Sequence, residues 1–199
     1  MRNLISSIFN SLDRGERSEY IRQYNTAILY GRVDDIYLDA QKLIICFPQD
    51  EIAIEAYFDG VWALENRIGA EDNRFIAMEI AAMPLQPDFR GIGPAYKEAA
   101  IRALTDICPR LAADNKYNIV EALAYLDVAS TPYHEFPDLC HDAMNTSIDL
   151  INHHGAASPE GAANIASIFF PQEKYMFREE IARRMQAPLM ENLFPVFVL

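Results

Sequence analysis

All four histidines of the chain lie between positions 134 and 154. His134-Glu135, Asp138, Cys140, His141-Asp142 and His153-His154 are residue types that bind transition metals. A metal needs several such ligands converging at about 2.0–2.3 Å. On a helix, Asp138 shares a face with His141 or Asp142, because residues three or four apart are neighbours there. His134 could reach that face from the preceding loop. A metal held by His134, His141 and Asp142 would make the chain a metal-dependent hydrolase. The same residues also have ordinary structural roles. His134 suits a loop and His141 a helix surface, and His153-His154 would place cations near a helix C-terminus before Gly155.

The His141-Asp142 pair resembles the motif of the HD phosphohydrolases, which hold metal with a His, a His-Asp pair and a distant Asp. The chain departs from that pattern in two places. The first His of that family lies on an earlier helix, whereas His134 is only seven residues away, and the apolar run before the pair is just Leu139-Cys140. Motifs for covalent catalysis are absent: there is no Gly-x-Ser-x-Gly elbow and no Ser-x-x-Lys with its partners. Gly91-Ile92-Gly93-Pro94 is too short to cradle a phosphate and lacks the following Gly-Lys-Ser/Thr, so it is expected to turn the chain into a helix. Asp34-Asp35 and Glu179-Glu180 are adjacent pairs, and adjacent helical residues point apart, which does not suit acid–base work. No catalytic residue and no cofactor is therefore assigned.

Three residues stand out as candidates for binding a partner. Glu79 and Glu121 recur at equivalent places in the repeat described below, although each could instead pair with an Arg or Lys of a neighbouring helix. Tyr133, between Pro132 and His134, is expected in a loop, where an exposed ring can anchor a partner. Trp62 falls with Phe58 and Leu64-Glu65 on a helix expected to be buried.

The elements that must position these residues are helices. With 199 residues, 51% hydrophobic and 23% charged, the chain is long and apolar enough for one globular domain and too apolar for disorder. Its 29 acidic and 17 basic residues leave a net charge of −12. The richest basic window, Arg178 to Arg184, interleaves Arg178, Arg183 and Arg184 with Glu179 and Glu180. It makes no rail for phosphates, so neither nucleic acid nor an anionic membrane is expected as a partner. A basic protein would suit the acidity. Cys46, Cys108 and Cys140 are expected to be three buried thiols in a reducing compartment. No apolar run approaches the ~18 residues of a membrane span. Leu4, Ile5, Ile8, Phe9 and Leu12 follow helical spacing rather than a signal peptide's apolar core. A cytoplasmic protein is expected.

Apolar spacing predicts helices near 2–12, 17–30, 34–46, 51–68, 72–83, 94–112, 115–130, 137–153, 159–170 and 172–186. Tyr96, Ala100, Ala103, Leu104, Ile107 and Leu111 draw one apolar stripe, with Lys97, Glu98, Arg102, Asp106 and Arg110 on the other side. Asp72, Asp114 and Ser158 are candidate N-caps. Gly69, Gly91, Gly93 and Gly155 are candidate turns. Leu43-Ile44-Ile45-Cys46-Phe47 is β-prone but short, and is expected to end a helix before Pro48.

The block Asp72-Asn73-Arg74-Phe75 returns as Asp114-Asn115-Lys116-Tyr117, 42 positions later, and at the same offset Glu79 meets Glu121. Helix starts recur every ~21–22 residues from about 51 to 159, in the range of two-helix repeats. The segment Ala95-Tyr96-Lys97-Glu98-Ala99-Ala100-Ile101-Arg102-Ala103-Leu104-Thr105-Asp106-Ile107 resembles a helix of the HEAT-type α-solenoids. The resemblance covers roughly 51–170 through a degenerate motif, and it implies a stacked array with a protein-binding face. The first 50 residues lack the repeat, which keeps an irregular helical bundle open.

The expectation is therefore an all-α single domain of stacked antiparallel helix pairs: N-terminal helices over 1–50, repeat-like pairs over 51–170, and a C-terminal helix with an apolar tail over 171–199. The chain is expected to be a non-enzymatic interaction module of adaptor, regulator or toxin-neutralising type. The tail Phe194-Pro195-Val196-Phe197-Val198-Leu199 could dock on its own core, cap the open end of the array, or join two copies as a homodimer.

Overall fold

The computed structural model describes residues 2–67, 71–89, 91–114 and 119–157. They form seven α-helices: α1 (Arg2–Tyr30), α2 (Val33–Cys46), α3 (Glu51–Glu65), α4 (Glu71–Ala82), α5 (Pro94–Asp114), α6 (Ile119–Ser130) and α7 (Pro137–Ala157). A 3-10 turn, Met83–Leu85, follows α4, and no strand occurs among the described residues. The expected all-α class is the observed one. The expected helices over 159–170 and 172–186, the cap Ser158 and the apolar tail lie outside the described residues. No helix among the described residues is long and apolar enough to cross a membrane.

Several expectations need correction. The helices expected over 2–12 and 17–30 are one continuous helix, α1, which runs through Gly15. One interior glycine costs a helix only about 1 kcal/mol, too little to break it without a proline or a cap. Asp72 lies inside α4 rather than before it, and Asp114 is the last residue of α5. The cap that does form is Asp50, whose carboxylate accepts the Ala53 amide at 2.9 Å and starts α3. Gly155 is helical, inside α7. Of the repeated block, Asp72–Phe75 opens α4, whereas Asn115-Lys116-Tyr117 lies outside the described residues.

The chain divides into two compact units, Met1–Ala100 and Ile101–Leu199. In the first, α1 packs on α2 and α3 on α4. The pairs also meet like to like, α1 against α3 and α2 against α4, with α2 also touching α3. Two helical hairpins thus stack two layers deep. The turn between α1 and α2 is made by Gly31 at φ 64°, a left-handed conformation suited to glycine. Its amide bonds to Ile28 O at 3.1 Å, and the Arg32 amide bonds to Ala27 O at 3.0 Å. That bond pair is a Schellman stop. The Arg67 guanidinium adds a third bond to the same end, to Ile28 O at 3.0 Å.

Three buried tyrosines tie this unit together. The Tyr24 hydroxyl donates to Tyr57 O at 3.2 Å, and the Tyr57 hydroxyl donates to Ile80 O at 2.5 Å. These bonds link α1 to α3 and α3 to α4. The Tyr96 ring stands edge-on to Tyr57 at 5.5 Å. Gly60 lets α1 and α3 cross closely: a Cβ there would lie 2.3 Å from Tyr24 Cε1. At Gly93 the amide donates to Pro48 O at 2.8 Å, and a Cβ would meet that same oxygen at 2.8 Å, so the loop before α5 seats only a glycine.

In the second unit, α6 packs on α7. Ala122, Leu123, Leu126 and Ala129 of α6 are buried, as are Cys140, Ala143, Met144, Ile148 and Ile151 of α7. The stripe foreseen on α5 is buried along its whole length, from Tyr96 to Leu111.

Candidate functional site

The histidine stretch runs from the α6–α7 turn, which holds His134, along α7, with His141 near its start and His153-His154 near its end. Tyr133 is half-buried, and its hydroxyl lies 3.2 Å from His141 Nε2, the rings edge-on at 5.4 Å. His134 is exposed, its ring 6.1 Å from that of Tyr133. Asp138 and Asp142 are exposed on α7. The α6–α7 turn closes through Thr131 N to Val128 O at 3.1 Å and Phe136 N to Pro132 O at 3.0 Å. One ring nitrogen of His141 is thus engaged by Tyr133. Among the described residues, no three His, Cys, Asp or Glu side chains are grouped to hold a metal ion. His134, His141 and Asp142 are not grouped: His134 is exposed in the turn, and His141 Nε2 is engaged by Tyr133. The Tyr133 hydroxyl reaches His141 across the turn.

Of the two recurring glutamates, Glu79 is exposed on α4 and Glu121 is exposed on α6. Partial burial pushes the Glu79 carboxyl above its ordinary value. The buried acid that pairs between helices is Glu65, 3.3 Å from Arg74 Nε, so the base of the repeated block joins α4 to α3. Trp62 is half-buried rather than core. Cys108 and Cys140 are buried, but Cys46, the last residue of α2, is exposed, which corrects the expectation of three buried thiols. Burial pushes the Cys108 thiol far up, which removes it as a nucleophile. Cys140 Sγ donates to Ala129 O at 3.5 Å.

Two further features escaped the sequence reading. Along the outward side of α3, Glu51, Glu55 and Asp59 are all exposed, one per turn, and none has an ion-pair partner among the described residues. Like charges four apart on a helix repel by a few tenths of a kcal/mol per pair, so this row is kept at a cost to the fold. The spacing was readable, but its exposure was not. The second feature is a groove of ≈ 310 Å³ between α1 and α2, lined by Arg22, Gln23, Thr26, Arg32, Asp35 and Asp39. Its charges are matched in pairs: Arg22 with Glu19 at 2.6 Å, Arg32 with Asp35 at 3.1 Å, and Lys42 with Asp39 at 2.7 Å.

One polar tie has measurable chemistry. Arg17 Nη1 lies 2.6 Å from Asp50 Oδ2, joining α1 to the start of α3. Burial pushes the Asp50 carboxyl up, but the Ala53 amide and the Arg17 guanidinium together outweigh it and hold the group below its ordinary value. The Tyr96 hydroxyl is buried with no hydrogen-bond partner among the described residues. No protein-family model, no curated protein and no solved structure matches this chain.

Proposed function

We propose that this chain is a non-enzymatic interaction module that docks a basic protein on an acidic helix face. The observation that carries this reading is the row Glu51, Glu55 and Asp59 on α3, exposed and without described counter-charges. Side chains that repel one another in the free chain gain most when a partner brings cations. The net charge of −12 extends the same preference over the whole surface and would steer a basic partner in. Stacked helix pairs, in the manner of HEAT-type arrays, would supply the long rigid faces such docking needs. The role would be that of an adaptor, regulator or toxin-neutralising protein in the cytoplasm, with neither nucleic acid nor a membrane as partner.

The test is affinity capture from native lysate with the full chain and with a Glu51→Lys, Glu55→Lys, Asp59→Lys variant. A basic protein recovered by the parent chain and lost by the variant, with both folded by circular dichroism, is the expected result. Recovery of the same proteins by both chains would overturn the reading, as would recovery of none.

A further inference from the structure

We propose that the outward stripe of α2 is a second docking surface, a seam for a basic amphipathic helix. Asp34, Leu38, Gln41 and Ile45 are all exposed, and they follow one another at intervals of four, three and four. The opposite side of the helix buries Ile36, Ala40, Leu43 and Ile44. Leu38 is 51% exposed and Ile45 66% exposed. Two aliphatic side chains seven residues apart stand in line about 10 Å apart along a helix axis. That is one heptad, with the polar Asp34 and Gln41 at the alternate positions of the stripe. Scattered exposed aliphatics need no explanation, but these two share one register with the exposed Gln41 between them on that face.

Charge selects the occupant. The cations nearest the stripe are spent, Lys42 on Asp39 and Arg32 on Asp35. Asp34, at the head of the stripe, is exposed and has no ion-pair partner among the described residues. A second copy would bring the same acids and another net charge of −12 against this face. A helix with apolar residues in heptad register and lysines on its flanks meets both the aliphatics and the acids.

This surface is separate from the α3 row, so its test is separate too. The probe is a labelled three-heptad peptide with leucine seam positions and lysine flanks, titrated into the full chain by fluorescence anisotropy. A peptide with glutamate flanks is the control. Leu38 and Ile45 are solvent-facing, so Leu38→Ser and Ile45→Ser should fold as the parent does, which circular dichroism and Tm will check. The expected result is saturable binding of the lysine peptide, weakened roughly tenfold in each serine variant, with little binding of the glutamate peptide. Equal binding by parent and variants, equal binding of both peptides, or no binding would overturn the seam. So would concentration-dependent dimers that vanish in the serine variants, since these would assign the stripe to a second copy. If the peptide result fails while the chain still captures the lysate partner through the α3 row, the seam falls and the interaction module stands.

Discussion

The α1–α4 hairpins and the α6–α7 hairpin are both helix pairs, yet they are held differently. In α1–α4, side chains reach across helices to main-chain oxygens: Tyr24 to Tyr57, Tyr57 to Ile80 and Arg67 to Ile28. Each bond fixes how far one helix can slide along another, because a carbonyl occupies one place along the axis. In α6–α7 the described polar ties sit by the turn, Tyr133 with His141 and Cys140 with Ala129, while small residues such as Ala122, Ala129 and Ala143 let the helices pack. Bulky, polar-tipped residues set register between distant segments, and a short turn does the same for neighbours. The acidic row and the α2 stripe both lie on the cross-tied hairpins, where the underlying faces are held in fixed relation.

The sharpest way to break this comparison is Tyr57→Ala. It removes a fully buried ring and the bond to Ile80, and should cost about 3–5 kcal/mol in equilibrium denaturation. A loss below about 1 kcal/mol would show that register is set elsewhere. Gly60→Ala should cost about 1–3 kcal/mol, since the clash with the Tyr24 ring outweighs the better helix propensity of alanine. Asp50→Ala should cost about 0.5–2 kcal/mol through the lost cap. Because its folded value is depressed, Asp50 contributes stability that is present above its ordinary value of 3.8 and lost as pH falls through the folded value. An acid titration of the Asp50→Ala variant should therefore be flatter than that of the parent below pH 3.8, and identical profiles would remove Asp50 from the account.

At the turn, Tyr133→Phe should cost less than about 1 kcal/mol, because one half-buried bond is lost. NMR of the imidazole should show a shift confined to His141 and its neighbours. Tyr96→Phe should be the smallest change, within about 0.5 kcal/mol of the parent or stabilising, because its buried hydroxyl has no partner among the described residues to lose. A large loss there would place an unseen partner on that oxygen.

Much of the local structure was legible in the residues. The α5 stripe from Tyr96 to Leu111 and the stop of α2 before Pro48 follow from spacing and proline chemistry, and both are observed. The break expected between 12 and 17 is absent, since nothing in that stretch opposes a helix except Gly15. Candidate sites were read less well. The histidines share one stretch of sequence, but among the described residues no three ligand-type side chains are grouped, and the His134 and His141 rings stand beside Tyr133. Glu79 and Glu121 recur in the sequence and both are exposed, while the buried acid paired between helices is Glu65, with Arg74. The α3 row went unnoticed because four-residue spacing of acids carries meaning only once that side of the helix is known to face out.

By itself, the sequence determined that the chain is helical and which stripe of α5 is buried, because helix formation and amphipathicity are decided among residues three and four apart. Only the tertiary structure decided which polar groups meet, which glycines are indispensable and which helix faces remain open. The bonds from Tyr57, Tyr24 and Arg67 join residues 23, 33 and 39 positions apart. No periodicity within one helix carries that information. It arises when the hairpins stack and each side chain finds the one oxygen within its reach.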